Sequence, residues 1–240
     1  MDKFWKFKTV KNKIGEDEES TENVLFLNGV IASESWYNDE RTPKMFRDEL
    51  DRCKGDITVF ICSPGGDCFA ASEIYTALKE HNGKVTVKIN GIAASAASVI
   101  AMAGDMMEMS PTSMLMVHNP SMMLFGEASE LEQGIEFLNE VKESIINAYQ
   151  LKTGLSRSKI SHLMDSETWM NANAAHDLGF CDRILYTDED DEKDAGNMVF
   201  DKTAMVTNTI AAMKKKLKPI APKETGADAA QFEKRLNLLK

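Results

Sequence analysis

The chain has 240 residues, enough for one large domain or two small ones with a full hydrophobic core. Lysine and arginine number 28 against 38 aspartate and glutamate, and the net charge of −10 disfavours a surface built to hold nucleic-acid phosphates. Hydrophobic residues at 43% and charged residues at 28% exclude wholesale disorder.

Met1 to Lys13 interleaves Phe4, Trp5 and Phe7 with lysines, and no uninterrupted apolar region follows as a secretory signal would need, so a cytoplasmic protein is expected. The acidic runs 16–22 and 188–194 are poor in apolar residues and read as solvated linkers. They divide the chain into an N-terminal arm (1–22), one patterned domain (23–187), and an acidic linker with a basic amphipathic tail (188–240). Residues 201–240 hold nine basic and four acidic side chains, a net of +5, which leaves −15 on the first 200 residues. In the tail, Val206, Ile210, Met213 and Leu217 share one helical face, as do Phe232, Leu236 and Leu239.

Between the linkers, β-rich runs alternate with helical patterns, the signature of βαβ units. Val24–Ile31 predicts a strand. Thr42-Pro43 supplies a cap and a first-turn proline for a helix whose apolar stripe is Phe46, Leu50 and Cys53. Ile57–Cys62 predicts the next strand, Ser63-Pro64-Gly65-Gly66 a break, and Phe69, Ile74 and Leu78 a helix closed near Asn82-Gly83. Val85–Ile89 is a third strand. The small residues Ala93 to Ser98 then predict a close-packed, buried helix, and the surrounding apolar run Ile92 to Gly104 is short of the roughly 20 residues that cross a bilayer. Met106, Met107 and Met109 read as strand and core filler, and Met114–His118 as a short strand. Leu131, Ile135, Leu138, Val141, Ile145 and Tyr149 mark one face of a long helix, Ala128–Leu151, ended by Gly154; Ser156 caps a further short helix.

Cys53, Cys62, Cys68 and Cys181 form no CxxC pair and have no histidine at ligand spacing, so reduced, buried thiols and no metal are expected. Three turns carry the chemistry instead: Ser63 to Gly66, Gly91 to Ser95, and His118-Asn119-Pro120. In parallel α/β sheets such strand ends converge on one crevice. A serine hydroxyl needs an adjacent base to become a nucleophile, and Ser95 and His118 stand where such a pair could meet. Amides at a helix start and in a glycine loop can hold a developing oxyanion. Ser98 reads as a packing residue one turn along the same helix. His81, His162 and His176 read as surface residues, and Cys68 as a structural thiol.

In order along the chain, Leu25 to Gly29, Ile61 to Gly66, Gly91 to Ser95, Met116 to Pro120, and Ala172 to Asp182 resemble the Clp protease proteolytic subunit, the ClpP family of serine peptidases. The resemblance spans about Asn23 to Leu185. It implies an α/β chain of the ClpP/crotonase-like fold, with repeated β-β-α units and a protruding handle helix. It matches Ser95 to the nucleophile, His118 to the general base, and the Gly66 and Ala96 amides to the oxyanion hole. The family's last motif has an aspartate two residues before an aromatic; here Trp169 is the aromatic and Glu167 holds the place. Glu167 is preferred as the third member because the register through Ala172 and Gly179 needs no gap, with Asp165 as its competitor.

The resemblance further implies a homo-oligomer, a heptameric ring or a double ring interlocked by the handle, with no cofactor. It places a substrate-binding strand at Met122, Met123 and Leu124, whose apolar character suggests hydrophobic substrate side chains. No P-loop is present, so any AAA+ unfoldase would be a separate chain. The aromatic N-terminus and basic tail look more like the phage and prophage head maturation branch, whose substrates are capsid or scaffold proteins. Three alternatives stay open: a housekeeping ClpP subunit, a crotonase-type acyl-CoA enzyme, and a catalytically weak assembly or scaffold module. A Ser/Lys dyad is a fourth, less favoured by the motif at His118. Neither a nucleic acid nor a membrane partner is expected.

Overall fold

The computed structural model describes residues 4–13, 19–32 and 43–187. Strand β1 (Trp5–Lys13) and strand β2 (Glu19–Ile31) are followed by helix α1 (Pro43–Leu50), strand β3 (Ile57–Gly66) and helix α2 (Cys68–Lys79). Strand β4 (Val85–Ala94), helix α3 (Ala96–Ala101), strand β5 (Met106–Met109) and strand β6 (Met114–Val117) come next. The chain then runs through α4 (Ala128–Thr153), α5 (Arg157–Asp165), β7 (Thr168–Asn171), α6 (Ala172–Asp177) and β8 (Arg183–Ile184). It is a mixed α/β fold, as expected.

The sheet has the order β1-β2-β3-β4-β5-β8, with β6 joined to both β4 and β7. From β2 to β8 the pairings on this path are parallel, and β1 runs antiparallel along β2. Val59, Val87, Ile89 and Met107 at its centre are fully buried, as parallel strands covered on both faces require. The division that matters lies in β4. Its first half, Thr86–Ile89, pairs with β5, and its second half, Ile92–Ala94, pairs with β6. The chain turns at Ser110–Ser113 between these partners and comes back alongside β4.

Several expectations change in the fold. Residues 5–13, read from the sequence as part of an arm, form the edge strand β1, and Trp5 is only 2% exposed. Its indole meets Phe4 and Phe46 edge-on and donates to Glu49 Oε2 at 3.1 Å. Strand β2 starts at Glu19, inside the acidic run expected to be a linker, because the β1 backbone supplies it with partners from Lys13↔Glu19 onward. Strand β3 continues through the predicted break, since β2 runs alongside with a register shift and pairs Val30↔Gly65 and Ile31↔Gly66. Helix α1 ends before Cys53, whose N–H closes a turn on Leu50. Helix α2 buries Ala70, Ala71, Ile74, Ala77 and Leu78 but leaves Phe69 exposed, where it tilts against Phe137 of α4. Of the four thiols only Cys181 is buried; Cys53 and Cys68 are half-buried and Cys62 is exposed. The tail and its amphipathic segments lie outside the described residues.

Helix α4 is docked along its second half only. Ile145, Ile146, Ala148 and Tyr149 are buried, whereas Leu131 and Ile135 from the same predicted stripe are exposed. Its N-terminus carries a capping box between Glu127 and Glu130, and Gly154 ends it in the left-handed conformation. The preceding loop folds back so that Leu124 packs on Gly134, where a Cβ would stand 2.4 Å from the leucine. No described helix is long and apolar enough to cross a membrane.

Because Trp5 fastens the edge strand to α1, truncating it removes a large buried aromatic. Trp5→Ala should lower stability by about 3 to 5 kcal/mol, read as a fall in the urea midpoint; an unchanged midpoint would show that β1 contributes little to the core.

Candidate active site

Three backbone ends meet where β4 leaves the main sheet. The first is the glycine loop at the end of β3. Ser63 is buried, donates its hydroxyl to the Gly29 carbonyl at 2.6 Å, and accepts from the Gly65 N–H at 3.1 Å. This staples the loop to β2 from within. Gly65 and Gly66 have φ of 96° and 149°, where side chains are strained. A Cβ on Gly65 would lie 2.5 Å from the Ala94 carbonyl oxygen and 2.7 Å from Ser95 Cβ, and one on Gly66 would lie 2.0 Å from the Ile31 carbonyl oxygen. Only glycine lets this loop touch both neighbours.

The second end is Ser95, the N-cap of α3. Its φ of 55° and ψ of −126° lie outside the ordinary regions for a side-chain-bearing residue, a strain of the order of 1–3 kcal/mol. The surroundings impose it: Ala94 pairs with Met116 across β4 and β6, and the Ser95 N–H donates to the Met116 carbonyl at 3.0 Å. The hydroxyl makes no cap bond. It lies 2.7 Å from His118 Nε2 instead. Ala96 opens α3, so its N–H belongs to the first-turn amides that have no intrahelical acceptor.

The third end is His118, one residue beyond β6. Partial burial lowers its pKa below the ordinary value, and the nearby Glu167 carboxylate acts in the opposite direction. The imidazole is therefore neutral at neutral pH, with a nitrogen free to take a proton from Ser95 when the other carries the hydrogen.

The β6–β7 pairing decides the geometry of the two acidic candidates. These strands are antiparallel with Val117 opposite Thr168, so the next step along each brings His118 beside Glu167. Glu167 sits just past the end of α5 in the left-handed conformation, with φ of 46°, and accepts from Trp169 Nε1 at 3.3 Å. A glycine commonly fills that place, so a glutamate there is a strained choice. Asp165 is directed elsewhere. Its Oδ1 accepts from Lys142 Nζ at 2.6 Å and Asn119 Nδ2 at 2.9 Å, and the lysine contact is the main reason its pKa is lowered. Among the described residues, neither carboxylate hydrogen-bonds His118; only Glu167 bears on its charge.

Of the sequence-selected residues, Ser95 and His118 are in direct contact, Glu167 stands level with His118, Ala96 follows Ser95 at the start of α3, and the glycine loop approaches Ser95 through Gly65, the neighbour of Gly66. The structure adds Asn119, Lys142 and β7, none of which the sequence pattern singled out; Asn119 alone carried a signal, as the neighbour of His118. Ser98 is buried as a packing residue would be but is hydrogen-bonded on both sides. Burial and the Asp67 charge raise the pKa of the Cys68 thiol, in keeping with a structural role. His81 bonds the Gly55 carbonyl, and His162 is exposed. Met122 to Leu124 lie outside every strand of the described residues, so the expected substrate-binding strand does not form here. Met122, Met123 and Phe125 stand exposed, the last at 86%. No cluster of three or more metal-ligating side chains occurs among the described residues.

The Clp protease family model matches residues 20–188. The chain is 29% identical over 188 residues to the ATP-dependent Clp protease proteolytic subunit 1 of Chlamydia abortus, covering 73% of this chain and 98% of that protein. It is 30% identical over 166 residues to the ATP-dependent Clp protease proteolytic subunit of Bacteroides fragilis, covering 68% and 79%.

With His118 below its ordinary pKa, reactivity of Ser95 towards a fluorophosphonate should persist through neutral pH and fall as pH drops through that value. The Glu167 charge raises the pKa, so Glu167→Gln should move the acid limb to lower pH and reduce the plateau about tenfold or more. Asp165→Asn should leave the limb in place. A limb unmoved in Glu167→Gln, or moved equally in Asp165→Asn, would reject Glu167 as the partner of His118.

Proposed function

The chain belongs to the Clp protease family, and on that premise we propose that it is a serine endopeptidase acting through Ser95, His118 and Glu167. The observation that carries this reading is the 2.7 Å contact between Ser95 Oγ and His118 Nε2, formed by a serine whose strained backbone turns its hydroxyl away from helix capping. In the proposed reaction His118 Nε2 takes the hydroxyl proton as Oγ bonds to the substrate carbonyl carbon. The carbonyl oxygen becomes an oxyanion facing the Gly66 and Ala96 N–H groups. His118 then returns the proton to the leaving amine as the peptide C–N bond breaks. Water, deprotonated by the same imidazole, releases the acyl group and restores the hydroxyl. Glu167 favours the imidazolium form in between.

A ring-shaped homo-oligomer completes the proposal. The loop before α4 and the undocked half of that helix leave Met123, Phe125, Leu131, Ile135 and Phe137 exposed, a run of large apolar side chains of the kind that marks an interaction surface. A second copy of the chain would cover it, as the handle of the resembled family implies. As a source of substrate we favour a separate ATP-driven unfoldase, because the named relatives are subunits of ATP-dependent proteases. Capsid or scaffold processing is the second reading, and its support is now the basic tail, since Trp5 serves the core.

A fluorophosphonate probe should label the full-length protein at Ser95, with labelling abolished in Ser95→Ala and reduced at least a thousandfold in His118→Ala. Labelling that survives Ser95→Ala, or none at all in the intact oligomer, would instead favour an acyl-CoA enzyme or a scaffold module of the same fold. Deleting residues 196–240 should abolish cleavage of a co-expressed capsid or scaffold protein if that second reading holds; unchanged binding and processing would remove the tail from it.

A further inference from the structure

Ser98 on α3 and Tyr149 on α4 are both fully enclosed, and each buried hydroxyl must find a partner or weaken the fold. Ser98 Oγ donates to the Ser95 carbonyl oxygen at 2.6 Å, and the Ser98 N–H donates to the same oxygen at 2.9 Å. A serine hydroxyl has one proton. Since that proton is spent on Ser95, the 2.7 Å contact between Ser98 Oγ and Tyr149 Oη has the phenol as donor. Burial raises the tyrosine pKa strongly, so the phenol keeps its proton at any working pH. A directed chain results, from the Tyr149 O–H through the Ser98 O–H to the carbonyl of Ser95.

That carbonyl and the Ala96 N–H are opposite ends of one planar peptide unit. Fixing the oxygen therefore fixes where the N–H points. Two donors on the oxygen also draw electron density along the unit and make its N–H a better donor. We propose that Tyr149 and Ser98 are positioning residues, which reach from the docked half of α4 to aim and strengthen the Ala96 amide at the oxyanion. The inference rests on the catalytic reading of Ser95 and Ala96 proposed above. It also accounts for a hydroxyl where phenylalanine would fill the same space beside Phe180, whose ring centroid lies 5.6 Å away.

The test measures fluorophosphonate labelling of the full-length oligomer, as a maximal rate constant and a half-saturating probe concentration, neither of which depends on the folded fraction. Tyr149→Phe keeps the ring and removes the donor; it should lower the maximal rate about tenfold, less than the 10²–10³ lost when a direct oxyanion donor is deleted, with half-saturation and the pH midpoint unchanged. Ser98→Ala should cost at least as much. In that background Tyr149→Phe should add less than about twofold, because the chain is already broken. Wild-type rates in Tyr149→Phe, losses that multiply in the double variant, or a change in half-saturation alone would overturn the proposal. Labelling that persists in Ser95→Ala would overturn the catalytic reading itself, a separate outcome. If Tyr149→Phe does not fold, the same two constants in Ser98→Ala decide the matter.

Discussion

The division of β4 between two partners is the constraint on which the site depends. Here β5 takes the first half and β6 the second, so the chain just after Ala94 is gripped by Met116 and must turn at once into α3. The left-handed backbone of Ser95 follows, and its cost is borne by the pairing on one side and the buried alanine helix on the other. Gly65 is the complement of that turn, since any side chain there would occupy the space of the Ala94 carbonyl and the Ser95 Cβ.

The same register organises the charges. Because β7 lies antiparallel to β6, Glu167 comes level with His118, while Asp165, the last residue of α5, turns towards Lys142 and Asn119. Two carboxylates two residues apart therefore face different tasks. Asp165 ties the residue after His118 to α4, and Glu167 bears on the imidazole charge. Burial acts against protonation of His118 and the Glu167 carboxylate acts for it, the balance that the proposed general-base role calls for.

Helix α4 serves two regions with different chemistry. Its C-terminal half is core, contributing Tyr149 and the ion pair of Lys152 with Asp182 at 2.5 Å. Its N-terminal half, with the loop from Ser121 to Gly126, lies on the surface and sets the exposed apolar residues Met123, Phe125, Leu131, Ile135 and Phe137 among glutamates. One continuous helix thus carries both the undocked half and Tyr149, whose hydroxyl reaches the Ser95 carbonyl by way of Ser98.

Much of this was legible in the residues. The proline-led α1, Gly154 and the Ser156 cap are local signals, fixed by side-chain volume and backbone freedom, and they stand in the fold where the pattern placed them, whereas the small-residue helix starts at Ala96, because Ala93 and Ala94 pair with β6 and extend β4 beyond its expected end at Ile89. The ordered motifs likewise selected Ser95, His118, Glu167 and Gly66 before any geometry was known. Less legible was whatever depends on which strand lies beside which. The extension of β3 through two glycines, the entry of Trp5 into the core, and the exposure of half the α4 stripe each follow from a neighbour far away in sequence. The chain by itself determined the residue types that the proposed chemistry needs; the tertiary structure decided which carboxylate stands level with the histidine, because that choice is made by the register of β6 against β7, and register is a property of two strands together.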